Sequence, residues 1–165
     1  MTHRYVSDAE WPPDWATGDD EMMHEKRMGS RAAAIPLLLG RLIFGGYFLY
    51  SGVNHFLHKD MMAGYAKSKG VPAAEVAVPG TGALLVAGGL SLLTGYKPKL
   101  GAALIGTFLM GVSPSIHAFW KESDPQQRQA EMTHFLKNLA LLGAALIAAS
   151  GPEPWPYSPG ARSAA

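Results

Sequence analysis

The sequence contains no cysteine among its 165 residues. It can therefore form no disulfide, no cysteine-ligated iron–sulfur cluster and no covalent c-type haem attachment. Charge is also scarce, since charged residues make up 16% of the chain and the net charge is +1. The chain has no basic tract, so its sequence does not predict a nucleic-acid partner. Residues 76–96 and 100–120 lack Asp, Glu, Lys and Arg altogether.

These charge-free stretches are each 21 residues long, and a helix of about 20 apolar residues crosses the hydrocarbon core of a bilayer. Two flanking stretches are also apolar, apart from Arg41 in one and Lys137 in the other. A soluble bundle would carry a polar stripe on every helix, and residues 83–93 show none. The sequence predicts an all-α, four-helix transmembrane bundle in contact with lipid, with helices over 33–56, 76–96, 99–120 and 132–150.

The two ends of the chain differ from its middle. Residues 1–31 form an acidic arm in which Trp11 and Trp15 flank two prolines. This arm lacks the pattern of a secretory signal, and we interpret it either as a disordered tail or as a docking segment anchored by its tryptophans. Residues 32–150 form the predicted membrane domain. The tail 151–165 is rich in proline and cannot continue a helix, and its aromatic residues suit a membrane interface.

Four spans place both termini on one side, here side A, and the loops 57–75 and 121–131 on the other, side B. Six Lys or Arg residues flank the spans on side A and five on side B. The positive-inside rule then favours cytoplasmic termini. We expect a multi-pass protein of a bacterial plasma (inner) membrane.

Three histidines are predicted to converge near side B, because His55 ends the first helix, His117 nears the end of the third and His134 begins the fourth. Lys137 and Asn138 share a helical face with His134. Polar groups at membrane depth are costly and usually functional. Three readings stay open: hydrogen bonding to carbonyls or interfacial water, a quinone headgroup site, and a metal or haem site. No His-x-x-x-His spacing supports a metal, and no intrinsic cofactor is expected.

Other residues have predicted structural roles. Gly45 and Gly52 lie on one stripe of the first helix with Arg41, and glycines at such positions let a neighbouring backbone approach closely. Arg41 is either an interfacial anchor or part of a site, and Asn54 accompanies the histidines near side B. Pro114 cannot donate a backbone hydrogen bond, so a kink or a freed carbonyl is expected there.

The chain from Leu37 to Ile147 resembles the DoxX family of small bacterial membrane proteins. The similarity lies in the order and spacing of six segments: Gly40–Gly45, Ser51-Gly52, Gly70-Val71-Pro72, Leu90–Gly95, His117–Trp120 and Phe135–Gly143. The resemblance implies a four-helix membrane fold and association with redox systems, since relatives include membrane subunits of thiosulfate:quinone oxidoreductase. The arginine, histidine and asparagine of the family correspond to Arg41, His117 and Asn138.

The sequence thus predicts a membrane subunit or accessory of a bacterial quinone-linked redox complex, with a larger membrane protein complex as its partner. The candidate polar site comprises His55, His117, His134, Lys137 and Asn138. The alternatives are a purely structural subunit without a catalytic role and a protein that handles small solutes or lipids.

Overall fold

The computed structural model describes residues 34–159, so Trp11 and Trp15 lie outside the described residues. The described residues fall into two units that divide between Leu39 and Gly40. Of the first unit, the structure describes residues 34–39, which are helical. The features discussed below belong to the second unit.

Five helices account for the fold, and the described residues contain no strand. Four of the helical segments are long and apolar enough to cross a membrane, which confirms the predicted four-helix transmembrane architecture. The helices are α1 Ala34–Leu57, α2 Lys59–Ser68, α3 Ala74–Thr94, α4 Pro98–Ile116 and α5 Pro125–Ser150. Helix α1 contains a π-helical turn at Arg41–Gly45, and a 3₁₀ turn, Phe119–Lys121, follows α4.

Two of the predicted loops are largely helical. The loop 57–75 contains α2, which ends in a Schellman motif: Gly70 has a φ of 82°, and the N–H of Val71 donates to the carbonyl of Ala66. Helix α5 begins seven residues before the predicted start at 132, because the Asp124 side chain accepts from the N–H of Gln127 and Pro125 occupies the first turn. A criterion based on apolar runs does not detect these polar turns.

The four long helices pack most closely as three successive pairs, α1 with α3, α3 with α4, and α4 with α5. This series of helices is called the row below. The short helix α2 covers the beginning of α3. Helix α5 lies at the end of the row and is the least buried of the four spans, since 11% of its most apolar 18-residue segment is buried. The buried side chains at the centre of the row come from α1, α3 and α4, and the largest are Phe48, Leu85, Leu92, Ile105 and Leu109.

Glycines bring α1 and α3 into close contact. A Cβ added at Gly52 would lie 2.7 Å from the backbone nitrogen of Val86 and 2.8 Å from the carbonyl oxygen of Gly82. A Cβ added at Gly89 would lie 2.8 Å from the carbonyl oxygen of Gly45. The stripe predicted on α1 therefore faces protein, and the pairing buries backbone against backbone as in other membrane helix interfaces.

Contacts at the two ends of the row confirm the alternating direction of the helices. At side A, Arg41 near the start of α1 bonds carbonyls at the end of α3, and also Pro156 beyond α5. At side B, Lys69 beyond α2 meets Glu122 between α4 and α5. Both ends of the row are thus joined by polar side chains.

Substituting Gly52 by alanine should lower the stability of the protein by about 1–3 kcal/mol, because the added methyl group forces two backbones apart. Gly46→Ala on the same helix is the matched control, since no atom lies within 4 Å of its added Cβ. Unfolding of both variants by a denaturing detergent would measure the difference. Equal stability of the two variants would contradict the close packing of α1 and α3.

Candidate functional site

The candidate site is built around His117, which follows the last residue of α4. Its Nδ1 donates to Oε2 of Glu131 at 2.7 Å. Glu131 lies in the second turn of α5 and is 7% exposed, because the line Glu131, Asn138 and Ala145 forms the buried face of that helix. A carboxylate bonded to Nδ1 fixes the tautomer of the imidazole and leaves Nε2 for a further partner. Within residues 34–159, Nε2 forms no hydrogen bond.

Lys69 bonds the other oxygen of Glu131. Its Nζ donates to Oε1 of Glu131 at 3.0 Å and to Oε1 of Glu122 at 2.8 Å. The Schellman motif that ends α2 places Lys69 here, one residue before Gly70. Glu131 therefore joins three separate segments: the end of α2, the end of α4 and the beginning of α5. Lys69, His117, Glu122 and Glu131 are called the side-B cluster below.

The charges of the side-B cluster are partly balanced. The carboxylates of Glu122 and Glu131 raise the pKa of Lys69 above its ordinary value of 10.5, more than its partial burial lowers it. A raised pKa means that the stabilisation from this lysine is fully present below the ordinary value and is lost only in strongly alkaline solution. One ammonium faces two carboxylates, so these three bonded groups together carry one unbalanced negative charge.

His134 lies against His117 from the neighbouring helix. The two rings stack with centroids 5.1 Å apart and an angle of 24° between their planes. Lys137 lies one turn further along α5, and its Nζ is 3.5 Å from Nδ1 of His134. Both His134 and Lys137 are exposed. The structure thus brings together three of the five residues in the predicted site, at the edge of the side-B cluster.

Asn138 and His55 lie apart from this cluster. Asn138 is buried on the inner line of α5, two turns beyond Glu131, which is about 10 Å along the helix axis, and one turn beyond His134. His55 donates from Nδ1 to the carbonyl of Ser51, and its ring packs edge-on against Phe108. Phe108 precedes His117 by nine residues, which is about 13 Å of helix. The structure does not bring His55 to the cluster, because α1 ends level with the middle of α4.

The remaining candidate residues have structural contacts. Arg41 is buried and bonds three carbonyl oxygens at side A. The carbonyl of Asn54 accepts from the N–H of His58 and ends α1. Helix α4 continues through Pro114 and ends two residues later. Met110 is exposed one turn before Pro114.

An aromatic group adjoins the site. Phe119 and Trp120 of the 3₁₀ turn pack edge-on against Phe135 of α5, with ring centroids 5.5 and 5.8 Å apart. Trp120 is half exposed. Because Phe119 follows His117 by two residues and Phe135 follows His134 directly, these rings border the histidine pair at side B.

The sequence prediction missed Lys69, Glu122 and Glu131. A signal for Glu131 was present: Asp124 followed by Pro125 is a helix start, and extending α5 to this start places Glu131, Asn138 and Ala145 seven residues apart on one face. Lys69 precedes a glycine that marks a helix end. The partners of both residues depend on how α2 packs on the bundle, which no local pattern specifies.

Four apolar spans and a polar group at one end of the row define an integral membrane protein. The chain belongs to the DoxX family, whose family model matches residues 36–118, just over half of the sequence. The matched region includes Arg41 and His117 and ends before Glu131, His134 and Asn138. No curated protein and no solved structure matches the chain.

The bond between Lys69 and Glu131 should contribute measurably to stability. A double-mutant cycle with Lys69→Met and Glu131→Gln is expected to give a coupling energy of about 1.5–3 kcal/mol, because both groups are mostly buried and their bond is charge-assisted.

The matched control is the pair Lys67 and Glu75, which carries the same residue types near the same helix end. These side chains are 75% and 72% exposed and 3.9 Å apart. Their cycle, with Lys67→Met and Glu75→Gln, should give less than about 0.5 kcal/mol. Similar coupling energies for the two pairs would show that the buried bond adds nothing.

Proposed function

We propose that this protein is a membrane-embedded subunit or accessory of a bacterial quinone-linked redox complex, and that a quinone headgroup binds beside His117 at side B. The observation that carries the proposal is the bond from Nδ1 of His117 to the buried carboxylate of Glu131. This bond leaves Nε2 as the ring nitrogen that a ligand can use.

A histidine held in this way suits both forms of a quinone. Neutral His117 has a lone pair on Nε2, which accepts a hydrogen bond from the hydroxyl of a quinol. Protonated His117 has a proton on Nε2, which it donates to the carbonyl oxygen of a quinone. Glu131 holds the ring in one orientation through the bond to Nδ1 in both forms.

The proposed chemistry requires electrons from outside the chain. Reduction of a quinone to a quinol takes up two electrons and two protons. A redox centre of the partner subunit supplies the electrons, and Nε2 of His117 delivers one proton to a carbonyl oxygen. Water at side B supplies the second proton and returns a proton to the imidazole. Oxidation of a quinol would follow the same path in reverse.

The surroundings of the histidine pair fit a flat, amphipathic ligand. Phe119, Trp120 and Phe135 present aromatic surface next to His117 and His134, and aromatic rings attract one another in stacked or edge-on arrangements. The apolar surface of α5 continues from this point toward side A. A headgroup at side B and an isoprenoid tail along α5 would occupy these two regions.

A purely structural role is the second candidate, and one observation favours it. Lys69 and Glu131 satisfy one another and tie three segments together, so the side-B cluster needs no ligand to be stable. Under this alternative, the protein packs against a larger membrane assembly and binds no quinone. Either role is consistent with a plasma membrane protein whose partner is a larger complex.

Replacing His117 should separate the two candidates. The protein is purified in mild detergent, depleted of lipid and reconstituted in nanodiscs with a known amount of ubiquinone or menaquinone. His117→Phe should weaken quinone binding by about 10- to 100-fold, which corresponds to one charge-assisted hydrogen bond. Quenching of tryptophan fluorescence by the quinone measures the affinity.

His58→Phe is the matched control, since His58 is exposed between α1 and α2 and its hydrogen bonds to other described residues all come from its backbone. It should bind quinone as the unaltered protein does. No saturable binding by the unaltered protein, or equal affinity of the two variants, would overturn the quinone proposal and leave the structural role.

A further inference from the structure

The chain beyond α5 folds back over the side-A end of the helix row. Residues 151–159, here the strap, contain four prolines and form bends and turns rather than a helix. Trp155 is only 5% exposed and Ser158 only 4%. The burial of Trp155 differs from the expectation that the aromatics of this tail lie at the membrane interface. Tyr157, which is 66% exposed, remains free to do so.

Arg41 fixes the strap to α1 and α3. Its Nε and Nη2 donate to the carbonyls of Leu92 and Leu93, at 3.2 and 2.9 Å, and its Nη1 donates to the carbonyl of Pro156 at 2.8 Å. The carbonyl of Leu92 also accepts from the N–H of Gly95, and the carbonyls in the last turn of α3 lie at the negative end of the helix dipole. A guanidinium is therefore the group best suited to connect them to another segment.

The backbone around Arg41 leaves room for this arrangement. Arg41 opens the π-helical turn of α1, and such turns are frequent at functional positions. Gly95 follows the last residue of α3, has a φ of 70° and lies against the guanidinium of Arg41. A Cβ at Gly95 would lie 2.8 Å from Nη2 of Arg41 and 3.0 Å from Cβ of Ser158. Glycine at this position therefore allows the arginine and the strap to approach α3 together.

Two further contacts hold the strap. The ring of Trp155 lies 5.8 Å from Cζ of Arg41, within the range of a cation–π interaction. At the beginning of α4, the N–H of Lys99 donates to Oε1 of Glu153 at 3.0 Å. This N–H belongs to the first turn of the helix and has no partner within it. The strap thus reaches from the end of α5 to α4, α3 and α1.

We propose that residues 151–159 are a releasable strap, latched by Arg41, that closes the side-A end of the helix row. Helices α1 and α5 are not a closely packed pair, and the strap connects them at this end. Among the described residues, contacts of Arg41, Trp155 and Glu153 hold the strap, and its prolines contribute no backbone donors, so loss of these contacts releases it. Release uncovers the Arg41 guanidinium, whose partners among residues 34–159 are carbonyls and the ring of Trp155.

The absence of cysteine makes the strap easy to follow, because two introduced cysteines are the only labelling sites. Pro159→Cys at the end of the strap and Leu100→Cys on α4 replace exposed residues. Spin labels on this pair, in protein reconstituted in lipid nanodiscs, report the distance between strap and helix. A latched strap should give one narrow distance distribution.

Trp155→Ala and Arg41→Lys should each broaden this distribution toward longer distances. Lysine keeps the positive charge but cannot bond three carbonyls from one planar group. Glu153→Ala should have a similar effect, whereas Glu153→Gln should not, since glutamine retains an oxygen that accepts from Lys99.

Tyr157→Ala is the control within the strap, because it removes an exposed aromatic residue and leaves the anchors intact. It should leave the distribution narrow. A broad distribution in the parent protein, or a narrow one after replacement of both Trp155 and Arg41, would overturn the proposal. If Arg41→Lys fails to insert in the membrane, Trp155→Ala alone decides the result.

Discussion

The arrangement of the helix ends at side B depends on the bonds that the carboxylate of Glu131 accepts from Lys69 and His117. Its two oxygens bind different partners, Lys69 and His117, so a single side chain connects α2, α4 and α5. A carboxylate that is 7% exposed is costly to bury unless each oxygen is satisfied. The same bonds that compensate this cost also fix the orientation of His117. Stability and the proposed chemistry of the site therefore have one physical origin.

Side A is organised around the opposite charge. Arg41 is buried among carbonyls, where the end of α3 supplies negative potential in place of a carboxylate. Between the two charged ends, close glycine contacts hold α1 against α3. In lipid, the hydrophobic effect does not favour the association of apolar helices, so close packing and polar contacts must stabilise it. The row of helices uses packing in its middle and polar contacts at both ends.

Much of this arrangement could be predicted from sequence, and the exceptions have physical reasons. Charge-free runs of about 20 residues identify the spans, because the thickness of a bilayer fixes their length. Helical periodicity placed Gly45 and Gly52 on the packed face of α1. Periodicity could not show that α1 ends level with the middle of α4, which separates His55 from His117. Nor could it pair Lys69 with Glu131, since that contact depends on how the polar helix α2 folds back onto the bundle. The burial of Trp155 follows from a contact with a residue more than 110 positions earlier in the chain.

We propose that His117, oriented by Glu131, binds a quinone at side B. A structure determined in a lipid nanodisc with a non-reactive quinone analogue tests it most directly. We expect a carbonyl oxygen of the analogue within hydrogen-bonding distance of Nε2 of His117, with the bond from Nδ1 to Glu131 retained and the quinone ring next to Trp120 and Phe135. A headgroup bound elsewhere on the protein, or an imidazole turned away from Glu131 to reach the ligand, would contradict it.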